Sequence, residues 1–131
     1  MADTGISSML MFFETENLQV LELSRNQLSD IELDMTNALT KLYLDHNQFS
    51  SLVLGSKPNL ETLHVHDNSL VDIATSTAPA LVRLDASNNN ITSINVDRNA
   101  ALNVLLLRDN PLTNSAQSYL DSQMTIDWLD Y

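Results

Sequence analysis

All three histidines of this chain, His46, His64 and His66, fall within a short stretch, and aspartates recur at a fixed distance from them. His64 and His66 stand two apart, so on an extended strand both side chains leave the same face. The step from Asp45 to His66 is 21, and the step from His64 to Asp85 is the same. Two imidazoles and two carboxylates are a workable ligand set for a divalent metal, with His64, His66, Asp45 and Asp85 as the candidates. The competing reading is a set of cross-strand pairs, Asp45 with His66, His64 with Asp85 and His46 with Asp67. A His-x-His pair on a strand is a common pattern, so the pairing reading is preferred. No tight metal site and no cofactor are expected. Such pairs are expected to raise the histidine pKa values, because a nearby carboxylate favours the imidazolium. Other chemistry is poorly provided for. Two glycines cannot build a phosphate loop, and no cysteine is present for a thiolate site. Nothing in the pattern predicts an elbow or pocket to hold a Ser-His-Asp triad. No catalytic residue is expected, and the chain is not expected to be an enzyme.

These residues meet only if the chain repeats, and it does so with a period of 21. Leu18, Leu39, Leu60, Leu81 and Leu102 keep that step, as do Leu21, Leu42, Leu63, Leu84 and Leu105. Asn26, Asn47, Asn68, Asn89 and Asn110 share it. Numbered from its first leucine, each repeat is apolar at positions 4 and 6 with variable residues around them. That period-2 alternation predicts a strand with one buried face. Stacked copies would align as a parallel sheet with strands about 4.8 Å apart. The asparagine stands where the chain leaves the strand and turns. Its amide offers donors and an acceptor to backbone groups that a buried turn would leave unpaired. The second half of each repeat alternates again, at Ile31/Leu33, Leu52/Leu54 and Ile94/Val96, with Ile73/Thr75 the weakest pair. That spacing is too short for a helix and predicts an extended or 3₁₀ segment on the far side. The closing residues 36–38, 57–59 and 78–80 read as turn chemistry.

A period in the 20s built on L-x-x-L-x-L-x-x-N-x-L resembles the leucine-rich repeat superfamily. The stretch from Ile91 to Leu102, ITSINVDRNAAL, looks like the repeat half "LTSLDVSKNTALT" of the 21-residue class of internalin-like and bacterial surface proteins. The resemblance covers residues 18–112. It implies a mainly β solenoid with a parallel sheet on the concave face and short segments on the convex side. It also implies a surface that binds something, although this scaffold serves many partners. Small proteins of this type resemble domains of phage tail or virion proteins and of bacterial surface arrays.

A solenoid must cover its exposed core at both ends. Residues 1–17 are expected to form a half-repeat cap, with Leu10 and Phe12 on the columns of Ile31 and Leu33. Residues 18–112 hold the five repeats, and residues 113–131 a second cap. In that cap Asn114 or Ser115 could start a short helix whose Ala116, Tyr119 and Leu120 share a face. A step of 21 from Leu105 and Leu107 reaches Ile126 and Trp128, which predicts a sixth strand over residues 124–130 with Trp128 plugging the core.

The positions that point away from the core carry the functional argument. Tyr43, His64, His66, Arg83, Asp85, Val104, Leu106, Arg108 and Leu129 are the candidate contact residues on the concave face. Val104, Leu106 and Leu129 are apolar where the repeat asks for nothing apolar. They are either a contact patch or the seat of the C-terminal segment. The net charge of −11 argues against nucleic acid and against anionic membrane surfaces. The apolar run at residues 9–13 is too short for a signal sequence or a span, so a cytoplasmic or virion-associated location is expected over secretion. The leading expectation is a non-catalytic module that binds a protein through its concave sheet. The alternative is a structural or decoration subunit of a larger assembly, such as a phage virion or a bacterial surface array.

Overall fold

The computed structural model describes Gly5, residues 15–123 and residues 126–131. Each repeat yields one strand, because its two inward apolar residues, a leucine followed by Leu, Val or Ala, flank a single outward residue. The strands are β1 (Val20–Glu22), β2 (Lys41–Tyr43), β3 (Thr62–His64), β4 (Arg83–Asp85), β5 (Val104–Leu106) and β6 (Trp128–Asp130). They form one parallel sheet in chain order. Leu21, Leu42, Leu63, Leu84 and Leu105 pair in register, each step being one repeat. A sheet in which every strand is followed by an equal path back across the core is a solenoid, with the leucine-rich repeat architecture.

The core is the set of leucine columns. Leu23, Leu39, Leu42, Leu44, Leu60, Leu63, Leu81, Leu84, Leu105 and Leu107 are buried, joined by Phe49, Leu70 and Ile91 from the turns. From the far side come Ile31, Leu33, Leu54, Ile73, Ile94 and Val96, with Leu52 packed partly against them. The far-side segments are mostly irregular. The one 3₁₀ turn among the described residues spans Thr75–Thr77, at the repeat whose far-side pair is weakest.

The asparagines tie successive turns together. Asn68 Nδ2 donates to the carbonyls of Val65 (3.0 Å) in its own repeat and Leu44 (3.1 Å) in the one before, while its Oδ1 accepts from Phe49 N–H at 3.0 Å. Asn47 and Asn89 repeat this pattern on Leu28 and Leu70 N–H, and Asn110 accepts from Ile91 N–H. A second polar column runs along the far side. Thr36, Lys57 and Asn99 are buried at equivalent positions, with apolar Ala78 taking the place in the intervening repeat, although the sequence suggested only turn chemistry at residues 36 and 57. Thr36 Oγ1 donates to Leu33 O, Lys57 Nζ to Leu33 O and Ser56 O, and Asn99 Nδ2 to Thr75 O and Ala78 O. Burial holds the Lys57 pKa below its ordinary value, with Asp34 opposing.

The end of the chain departs from the sequence expectation in register. Helix α1 spans Asn114–Asp121 and is capped by Thr113, whose side chain accepts from Ala116 N–H. Ala116 and Leu120 are its buried face. Tyr119 Oη donates to Asp97 Oδ1 (2.7 Å) and accepts from Val96 N–H (2.9 Å), which fixes the helix against the far side of the fourth repeat. Because a helix replaces the usual return, β6 pairs Leu105 with Leu129, a step of 24 rather than 21. The difference of three is odd, so the two faces of the strand exchange. Leu129 therefore turns inward and packs on the core, and Trp128 is 65% exposed. The expectations of Trp128 as core plug and Leu129 as concave contact are both corrected. β6 also begins at Trp128 rather than in the residues before it. The expected N-terminal cap, with Leu10 and Phe12, lies almost wholly outside the described residues.

Candidate functional site

The concave face is built from the outward strand residues and the residues just beyond them. Position 8 of every repeat proves to be a special backbone site. Arg25, His46, Asp67, Asn88 and Asp109 all have φ between 52° and 58°. That left-handed region is unusual for residues other than glycine and is enriched in Asn, Asp and His. The backbone thus explains part of the choice of residues in this column. Four of the five being Asn, Asp or His was the sequence signal for it.

At the centre of the face, His64 and His66 project beside Asp45 of the preceding repeat. His64 is half-buried, with Tyr43 packed edge-on against it at a ring-centroid distance of 5.0 Å. His66 and His46 meet in the same way at 5.1 Å. Asp45 is buried. Its Oδ1 accepts from Ser24 Oγ at 2.6 Å, and its Oδ2 lies 3.1 Å from His46 Nδ1 and 3.7 Å from His66 Nε2. On the other side of His66, Nδ1 is 2.6 Å from Asp67 Oδ2, and Asp67 Oδ2 is 3.5 Å from His46 Nε2. Asp67 also accepts from Asn88 Nδ2. Asp45, His64 and His66 each offer a ligand atom, and these lie within 4.8 Å of one another. His46, His66 and Asp67 form a second, overlapping group. Asp85, the fourth sequence candidate, joins neither group. It pairs in register with His64, but its Oδ1 accepts from Ser87 N–H at 3.2 Å.

The electrostatics differ from the expected rise in histidine pKa. Burial holds the His64 pKa below its ordinary value; Arg83 and His66 push the same way, and Asp85 and Asp45 oppose. Arg83 Nε donates to His64 Nε2 at 3.2 Å. An accepting ring nitrogen carries a lone pair rather than a proton. The expectation fails there because burial, helped by the neighbouring guanidinium, disfavours the imidazolium. Asp45 and Asp67 are shifted as well. For Asp45, burial favours the neutral acid, but the hydrogen bonds from Ser24 and His46 and the charge of His66 more than offset it, and its pKa is lowered. Asp67 is lowered in the same way by His66 and Asn88.

Towards the C-terminal end the face becomes apolar. Val104 pairs with Trp128, and Leu106 with Asp130. Arg83, Val104, Leu106, Trp128 and Asp130 line a shallow depression of ≈ 190 Å³. Arg108 Nη2 bonds Asp130 Oδ2 at 2.6 Å across its rim. The C-terminal segment thus extends the apolar patch rather than covering it, and Trp128 is its largest exposed member. Larger hollows lie on the convex side, two of ≈ 360 and ≈ 420 Å³ around Asp72, Asn95 and Tyr119 and one of ≈ 330 Å³ around Asp30, Leu33 and Val53. They are shallow, and none is lined by a histidine.

Known proteins agree with this architecture. The Leucine Rich Repeat family model matches residues 17–37, the span of one repeat. A leucine-rich repeat protein of Leptospira interrogans superposes with a TM-score of 0.78 and 21% identity, covering 92% of this chain and 34% of that one. The functional domain of InlJ from Listeria monocytogenes gives a TM-score of 0.55 and 20% identity, covering 98% of this chain and 38% of its own. That domain includes a cysteine ladder, whereas the present sequence has no cysteine. The chain spans about a third of the length of either protein. No curated protein matches it. Fold and repeat together define a leucine-rich repeat solenoid. Among the described residues no helix is long and apolar enough to cross a membrane.

Proposed function

We propose that the chain is a non-catalytic protein-binding module that docks its partner on the concave sheet. In this reading residues 18–112 are the binding stack, and residues 1–17 and 113–131 are its caps. The observation that carries it is the apolar end of the face, where Trp128, 65% exposed, stands beside half-buried Val104 and Leu106. An exposed tryptophan on a rigid sheet, rimmed by Arg83, Arg108 and Asp130, has the make-up of an interface anchor. Tyr43, His64, His66 and Asp85 extend the contact surface along the same face. The sheet is already ordered, so little conformational entropy is lost on docking.

The test is a partner captured from source lysate and its affinity for two variants. Tyr43→Ala combined with Leu106→Asp should abolish association while the melting curve stays cooperative. Asp34→Ala with Asp97→Ala, on the far side, should bind as the parent does. Affinity that survives the concave double variant would move the contact to the solenoid ends. A subunit of a virion or surface array would be held in that way, and that is the alternative reading.

A further inference from the structure

The histidine cluster holds more than charge pairs. His66 Nδ1 lies 2.6 Å from Asp67 Oδ2. Carboxylates only accept hydrogen bonds, so this nitrogen carries the proton. In neutral His66 that leaves Nε2 with a bare lone pair. The lone pair faces Asp45 Oδ2 at 3.7 Å. That separation is too long for a hydrogen bond. His64 offers the third ligand atom, within 4.8 Å of those of Asp45 and His66, while its Nε2 accepts from Arg83 Nε–H at 3.2 Å. Three donors thus converge from adjacent repeats. Zinc bonds of about 2.0–2.2 Å place tetrahedral ligands roughly 3.3 Å apart. The Asp45–His66 separation needs only a few tenths of an ångström of closure to reach that. Both ends of this pair are braced from behind, Asp45 by Ser24 Oγ at 2.6 Å and His66 by Asp67. A carboxylate behind a ligand histidine is the usual outer support of a metal site.

We propose that Asp45, His64 and His66 form a divalent transition-metal site on the concave face, with Ser24 and Asp67 as positioning residues. Two imidazoles and one carboxylate suit zinc and its neighbours and leave a coordination position open to solvent or to a partner's donor. A metal must compete with two existing contacts, Arg83 Nε–H on His64 Nε2 at 3.2 Å and His46 Nδ1 on Asp45 Oδ2 at 3.1 Å. Sequence spacing alone favours simple cross-strand pairing; the tautomer that Asp67 imposes on His66 reverses that order. The site does not depend on the docking reading above.

Calorimetric titration of the tag-free full chain with zinc chloride at neutral pH is the test. One zinc per chain is expected. Asp45→Asn and His66→Ala should each weaken binding by more than about tenfold, and Asp67→Asn, which leaves the ligands in place, by about tenfold. Arg83→Met should tighten it. Circular dichroism checks each fold, and if His66→Ala fails to fold, His64→Gln replaces it in the comparison. The absence of saturable binding, or one-to-one binding of unchanged affinity in Asp45→Asn and in the folded histidine variant, overturns the proposal.

Discussion

Removing one asparagine from the ladder should lower stability by an amount set by which backbone groups lose their last partner. Consider Asn68→Ala. The Leu44 carbonyl also accepts from Asn47 Nδ2, and the Val65 carbonyl also accepts from Asn89 Nδ2. Each would keep one hydrogen bond, because neighbouring asparagines share acceptors. Phe49 N–H is different: Asn68 Oδ1 is its partner at 3.0 Å, on a residue only 1% exposed. An orphaned buried N–H costs about 1–3 kcal/mol, and the small void left by the amide adds to it, so a loss of about 2–3 kcal/mol is expected. In a domain of this size that lowers the thermal midpoint by about 6–12 °C. Urea denaturation gives the free energy directly, with an unchanged m-value as the check that the stack still unfolds as one unit. Asn68→Asp sharpens the argument. It keeps an acceptor for Phe49 but turns carboxylate oxygen towards two carbonyls. At neutral pH it should cost at least as much as Ala, and it should recover once acid protonates the carboxyl and restores a donor. A change within about 0.5 kcal/mol for Asn68→Ala, at constant m, would refute the ladder as a stabilising device.

Two further predictions test the C-terminal cap. Leu129→Ala should cost about 1–2 kcal/mol and Trp128→Ala less than about 1 kcal/mol, because the shifted register turns Leu129 to the core and Trp128 to solvent; urea midpoints in the opposite order would restore the period of 21. Tyr119→Phe should cost about 1–2 kcal/mol by taking the phenol acceptor from Val96 N–H and the hydroxyl donor from Asp97 Oδ1. Burial and the Asp97 hydrogen bond hold the Tyr119 pKa above its ordinary value. Its contribution is therefore fully present below about pH 10 and lost as pH rises through the folded value. Alkaline denaturation curves of parent and variant should converge there, and parallel curves would argue against the phenol's role.

The fold was legible because a solenoid turns sequence period into spatial register. When Leu21, Leu42 and Leu63 recur at one interval, stacking places them side by side without any knowledge of distant contacts. Asn47 and Asn68 follow for the same reason, since each satisfies its own turn and the turn one period away. The same rule brought Asp45 beside His66 and His64 level with Asp85. It fails where the period fails. Helix α1 lengthens the last step to 24, and no local pattern distinguishes that from 21, yet it exchanges the faces of Trp128 and Leu129. Buried polar residues were also decided by tertiary structure. Lys57 looks like a turn residue and Asn99 carries no pattern of its own, but the far-side path presses both into the core, where backbone carbonyls accept from the Lys57 ammonium and the Asn99 amide. The histidine cluster divides in the same way. Its composition and its face were set by spacing. The proton on His66 Nδ1, the lone pair on His64 and the brace on Asp45 came only from the packing of Asp67, Arg83 and Ser24 around them. Protonation and direction depend on the third neighbour, and a sequence period specifies only the first two.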